Sequence, residues 1–186
     1  MPRALRHARG FCLVLLLLAA SAAPRPAAAQ TGEAEFAELA SVIFGMVCLF
    51  LPAEDQSDGA RVLGLTPVLD PALVARIMPG GPARAWSLLH TGRVLLIARR
   101  EDAACLMDLV GVEESGLFDA IDRMLRRLHR AVYQVFEETV PRGLPPPSLR
   151  ARYRLTTQDN AAFIVEFRVE QSPGVGRRVL VVLRAE

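Results

Sequence analysis

Between Leu149 and Glu170 apolar and charged residues alternate almost without a break. Leu149, Ala151, Tyr153 and Leu155 are interleaved with Arg150, Arg152 and Arg154, and Phe163, Val165 and Phe167 with Glu166, Arg168 and Glu170. A period of two gives each strand one buried and one wet face, the mark of an antiparallel sheet covered on one side. Directly opposed residues must share a face. Pairing Leu155 with Phe163 and Tyr153 with Val165 satisfies that condition. It leaves Gln158-Asp159-Asn160 as a three-residue loop in which Asn160 takes a left-handed conformation. It also sets Arg152 opposite Glu166. A slip of one residue would bury the arginines, which makes the register firm. Val179 to Leu183 is apolar on both faces and reads as a more central strand.

Upstream the period changes. Phe36, Leu39, Ile43, Val47 and Phe50 recur at three- and four-residue steps and predict a helix from Glu33 to Leu51, broad in its apolar surface. A short helix is expected from about Asp55 to Leu63. Asp70-Pro71 opens another, with the aspartate as cap and proline in the first turn, and Pro79-Gly80-Gly81 stops it. Strands follow at Arg84–His90, Arg93–Arg99 and Ala104–Val110, with Thr91-Gly92 and Glu101-Asp102 as hairpin turns. The stripe Leu117, Ile121, Met124, Leu125, Leu128, Val132, Val135 and Phe136 predicts a long helix from about Ser115 to Val140, ended by Pro141 and Pro145-Pro146-Pro147. The expected fold is α+β, of order α-α-β-β-β-α-β-β-β. An antiparallel sheet of about six strands carries the helices on one face.

The first 29 residues read as a secretory signal peptide. Arg3, Arg6 and Arg9 precede the apolar run Phe11 to Ala20, and small residues lead to Ala27-Ala28-Ala29 before Gln30. The expected cleavage is at Ala29/Gln30. Ser21-Ala22-Ala23 is a second small-residue site, disfavoured because it would leave Pro24 at the new terminus. The apolar run is interrupted by Pro24-Arg25-Pro26, short of the roughly 20 residues a spanning helix needs. Cys12 stands at the start of that run, where a lipid-attachment cysteine would not. Residues 30–186 then form a single domain with no transmembrane segment.

Removing the leader changes the charge. The whole chain has 22 basic and 20 acidic side chains, and Arg3, Arg6, Arg9 and Arg25 leave with the leader. The mature part is net −2 and contains no lysine. The basic balance of the precursor is therefore no argument for nucleic acid. Cys48 and Cys105 are the only mature cysteines. In an exported chain they are candidates for one disulfide, the alternative being two separate buried thiols. Cys105, Met107 and Leu109 share the core side of their strand, opposite Asp108, and Cys48 lies on the apolar stripe of its helix with Phe44 and Leu51.

The leader, the apolar helix with Phe44 and Cys48, Trp86 near a strand, and the strand with Cys105 together resemble small uncharacterised secreted proteins of alphaproteobacteria. The resemblance covers roughly residues 33–110. It implies a periplasmic α+β domain and carries over no functional residue.

The sequence holds no G-x-S-x-G, H-E-x-x-H, Walker loop or G-x-G-x-x-G. His90 and His129 have no second ligand at a metal-binding spacing on their own elements. Asp119 and Asp122, three apart, read as a solvated helix face. No catalytic residue, metal or cofactor is assigned. The surface features are two basic rows, Arg123, Arg126, Arg127 and Arg130 on the long helix and Arg150, Arg152 and Arg154 on a strand. They are candidates to meet an acidic partner, anionic lipid or the sugar-phosphate of an envelope polymer, or are balanced by Asp119, Asp122, Glu137, Glu138, Glu166 and Glu170. The expected function is a non-enzymatic periplasmic domain that binds an envelope protein or a small ligand. The alternatives are a hydrolase using His90 or His129 with a carboxylate, and a peripheral membrane protein using the basic helix face.

Overall fold

Eight strands form one antiparallel sheet in the order β1-β2-β3-β4-β8-β7-β6-β5. The computed structural model describes residues 27–50, 56–129, 132–140 and 147–186. The chain divides into Met1–Gly32 and Glu33–Glu186. Of the first unit only residues 27–32 are described, and they are helical. The leader, apart from its last three residues, lies outside the described residues. So do Cys12, Leu51, Arg130, Pro141, Pro145 and Pro146.

The elements in chain order are α1 (Ala27–Phe44), a π-helical turn (Gly45–Phe50), α2 (Gln56–Val62), β1 (Thr66–Pro67), α3 (Pro71–Ile77), β2 (Ala83–His90), β3 (Arg93–Arg100) and β4 (Cys105–Val110). Then come α4 (Glu114–Leu128), β5 (Gln134–Glu138), β6 (Ser148–Thr156), β7 (Ala162–Ser172) and β8 (Gly176–Ala185). The local signals act as expected at several boundaries. Asp70 caps α3, its carboxylate accepting from the N–H of Ala72 at 2.9 Å and of Leu73 at 3.3 Å. The β2–β3 turn places Thr91 and Gly92 at φ 48° and 77°. Two consecutive left-handed residues make the tight turn that matches strand twist.

β6 and β7 pair as the alternation requires, with Leu155 opposite Phe163, Tyr153 opposite Val165 and Arg152 opposite Glu166. Asn160 closes the loop at φ 66°. β8 lies between β4 and β7, a central position.

Four expectations are corrected. The sheet has eight strands where about six were expected. The predicted helix Ser115–Val140 stops at Leu128, and Gln134–Glu138 is instead the edge strand β5, paired with β6. The run Val132-Tyr133-Gln134-Val135-Phe136 is β-branched and aromatic, which favours a pleated surface over a helix. His129 marks the break: its backbone is extended, and its Nδ1 accepts the N–H of Val135 at 3.1 Å.

The helices also do not share one face. α1, α2 and α4 cover one side, where Phe36, Ile43, Phe44, Leu117, Ile121 and Leu125 pack on Leu95, Ile97, Met107, Val165, Phe167 and Val181. α3 lies on the other side, where Val74 and Met78 meet Ala85, Ala98 and Ala104. Small side chains let that helix come close, and alanines gave no amphipathic signal. Lastly, the β3–β4 turn closes on the backbone bond from Arg100 N to Ala104 O and holds three residues inside it, Glu101-Asp102-Ala103, with Ala103 left-handed at φ 65°, rather than two.

Candidate binding face

α3 covers only the β2–β4 end of its side of the sheet. Among the described residues no helix packs on the remainder of that side, over β8, β7, β6 and β5, and we call it the open face; it is built from the even-numbered positions of β5, β7 and β8 and of β6 after its bulge. Two cross-strand rows define it. One runs Glu138, Arg152, Glu166, Val182, Leu106, and the next runs Phe136, Arg154, Ile164, Arg184.

Glu166 sits at the centre and is 1% exposed. Burying a carboxylate is costly unless it is paired and hydrogen-bonded. Here three guanidiniums supply the pairing. Arg152 donates from Nε at 3.0 Å and Nη2 at 2.6 Å to Oε1, Arg168 donates to Oε2, and Arg184 approaches Oε1 at 3.5 Å. Burial pushes the Glu166 carboxyl up, but the bonds from Arg152 and Arg168 outweigh it and hold the group below its ordinary value. The same bonds raise Arg152. Glu138 stands 3.6 Å from Arg152 on the outer side.

Around this ring the face is ordered by further pairs. Arg178 binds Asp108 through two nitrogens, one at 3.1 Å, and Arg154 binds Glu186 at 2.7 Å. Ile164 and Leu180 are buried on this side of the sheet, whereas Phe136 is 54% exposed on the edge strand.

The expected basic rows do not meet on one surface. Arg123 pairs with Glu38 of α1, and Arg126 pairs with Asp122 at 2.7 Å and Glu137 at 3.1 Å, all on the helix-covered side. Arg127 is exposed, and Arg130 lies outside the described residues. The strand row is split by a bulge between Leu149 and Ala151. It sends Arg150 to Glu114 of α4, 2.6 Å away, and leaves Leu149 opposite Arg168 on the open face. Arg152 and Arg154 belong to the open face. Arg168 and Arg184 complete the ring. Arg168 follows Glu166 by two on β7 and so shares its face, and Arg184 reaches Glu166 only through the β7–β8 register.

Cys48 and Cys105 form a disulfide, with Cα atoms 5.6 Å apart, and both are buried. It ties the π-helical turn to β4. Two side chains satisfy the widened carbonyl ladder of that turn: Arg99 donates to Val47 O, and the Tyr133 hydroxyl to Leu49 O at 3.1 Å.

The histidines are engaged elsewhere. His90 stacks on Phe36 with centroids 5.8 Å apart, on the same ring that Arg93 approaches, and His129 accepts from Val135. The Tyr153 hydroxyl donates to Asp122 at 2.9 Å, and burial followed by that carboxylate raises its pKa far above the usual tyrosine range. A tyrosine held so firmly protonated is a structural anchor between β6 and α4. Among the described residues no group of three His, Cys, Asp or Glu is placed to hold a metal ion. No helix among them is long and apolar enough to cross a membrane.

Comparison with known protein families, with curated proteins and with solved structures finds no match.

Proposed function

We propose that this chain is an exported, non-enzymatic binding domain of the cell envelope, released near Ala29/Gln30 and working through the open face of its sheet. The observation that carries the reading is the uneven cover of that side. Among the described residues α3 shields β2 to β4, while β8 to β5 present a surface laced with ion pairs, with Phe136 exposed at its rim. A sheet face this wide, rimmed by an aromatic and rich in arginine, has the composition that protein interfaces favour. The leader, the disulfide and the net charge of −2 after cleavage fit an oxidising compartment and a protein partner better than a polyanion.

The hydrolase reading loses support because His90 lies against Phe36 and His129 serves the backbone of β5. The membrane reading loses support because Arg123 and Arg126 are spent on Glu38, Asp122 and Glu137. Two measurements test the proposal. The amino terminus of protein recovered from the periplasmic fraction should begin at Gln30. Photo-crosslinkers placed at Phe136 and Arg154 should capture an envelope component that the same crosslinker at Asp119 does not. Retention in the cytoplasm, or identical capture from both sides, refutes it.

A further inference from the structure

Resting on that reading, we infer that the ring Arg152, Arg168 and Arg184 is where the partner is recognised, and that the partner presents an acidic peptide segment. Three guanidiniums converge on one carboxylate, and among the described residues Arg152 alone of the three pairs with a second acid, Glu138. Arg168 and Arg184 each have Glu166 as their one ionic partner among the described residues, yet their side chains are 46% and 49% exposed. They contact opposite oxygens of the same carboxyl group, so Glu166 gathers both heads about one point of the face. A guanidinium carries five donors in a planar fork suited to carboxylate. Among the described residues each of these two heads makes one hydrogen bond, to Glu166, while about half of its side chain meets solvent. Glu166 itself is the device that holds three like charges together, since without it they would repel and spread.

The charge distribution selects the ligand. Over β4 to β8 the face carries Arg152, Arg154, Arg168, Arg178 and Arg184 against Asp108, Glu138, Glu166, Glu170 and Glu186, a balanced total. A balanced face gives no broad attraction to an anionic membrane or nucleic acid, both of which need a spread of positive charge. The excess is local, one guanidinium over the acids that touch the ring. That suits one or two discrete carboxylates. The adjacent row places Phe136, Arg154, Ile164 and Arg184 directly across β5 to β8. Three strand spacings make about 14 Å from Phe136 to Arg184. An extended segment covers that span in roughly four residues, so the segment presents an apolar side chain about four positions from its acid.

The experiment titrates the full chain with hexaglutamate, hexalysine, inorganic phosphate and vesicles rich in phosphatidylglycerol. The readout is the Nε–Hε NMR signals of the arginines. Hexaglutamate is expected to shift Arg168 and Arg184 and to bind at least about tenfold more weakly to the R168Q/R184Q variant. The charge-keeping R168K/R184K variant should retain part of the affinity. Raising salt from about 50 to about 500 mM should weaken binding. Equal affinity for R168Q/R184Q, equal binding of hexalysine, or no shift with hexaglutamate overturns the inference. Phosphate binding as well as hexaglutamate would assign the ring to a small anion, and stronger vesicle binding would assign it to a membrane. Either result overturns the peptide assignment. Crosslinking at Phe136 that persists in R168Q/R184Q sinks this inference while the binding-face reading stands. Loss of all specific capture in the unmodified protein sinks the reading itself.

Discussion

Removing the Cys48–Cys105 bridge should cost about 4 kcal/mol. The two cysteines are 57 residues apart, and in the chain-entropy model a closed loop of that length withholds about 4 kcal/mol of freedom from the unfolded chain. The folded state needs the bridge less. The π-helical turn it anchors is also held by Arg99 on Val47 O and by Tyr133 on Leu49 O. A domain stable by roughly 5–15 kcal/mol therefore stays folded when reduced. The assay is urea unfolding with and without a phosphine reductant, equilibrated in denaturant because both sulfurs are buried. The background carries Cys12→Ser wherever the leader is retained. With a urea slope of about 2 kcal/mol/M, the midpoint should fall by about 2 M. The C48A/C105A variant should unfold at the reduced midpoint in both buffers. Its amide spectrum in water should match that of the parent outside the immediate surroundings of the bridge. A drop below about 0.5 M would refute the reasoning, because the loop entropy would then not be withheld. So would a C48A/C105A chain that has lost the native spectrum, because the bridge would then be holding the fold.

Three other outcomes are expected. Glu166 is held below its ordinary value in the folded state, so its contribution is complete above the unfolded value near pH 4.5 and is lost as pH falls through the folded one. Glu166→Gln should cost about 1–2 kcal/mol at pH 7, after allowing for the solvent exposure of its arginine partners. The two urea curves should converge toward pH 3, and a gap that stays constant from pH 7 to pH 3 contradicts the assignment. Ala103→Gly should raise stability by up to about 1 kcal/mol, because Ala103 holds φ 65° in an exposed turn, and a loss in thermal melting would count against the turn. Tyr153→Phe removes one charge-assisted bond to Asp122 and should cost about 1.5–3 kcal/mol without moving the β6–β7 register. Hydrogen exchange at the β6 amides reads both effects.

Much of the fold was written in local signals. The strict alternation of β6 and β7 determined their register, and Asn160 the loop between them. Asp108 marked which side of β4 was polar, which put Cys105 on the side facing Cys48. Where sequence reasoning failed, two signals overlapped or neither was present. Val132, Val135 and Phe136 continue the helical stripe of Leu117 to Leu128 by coincidence of spacing, and their β-branched and aromatic character carried the contrary message. α3 was recognised but not its side of the sheet, because Ala85, Ala98 and Ala104 leave no amphipathic trace. Most of the ring was legible. Arg152 opposite Glu166 follows from one hairpin and Arg168 from the alternation of β7, but Arg184 joins only through the pairing of β7 with β8, whose apolar run fixes no face by itself.

The strand order has a consequence in time. The first meander, β1 to β4, is complete early in the chain, and the second, β5 to β7, can pair with itself. Neither is closed until β8, the last strand in chain order, slides between β4 and β7. A chain threaded through a membrane amino end first would therefore emerge with two sticky borders exposed. It would become protease-resistant only when its final ten-residue strand arrives as a clasp. The sheet is thus locked by the strand that comes last in its chain order, and closure waits for β8.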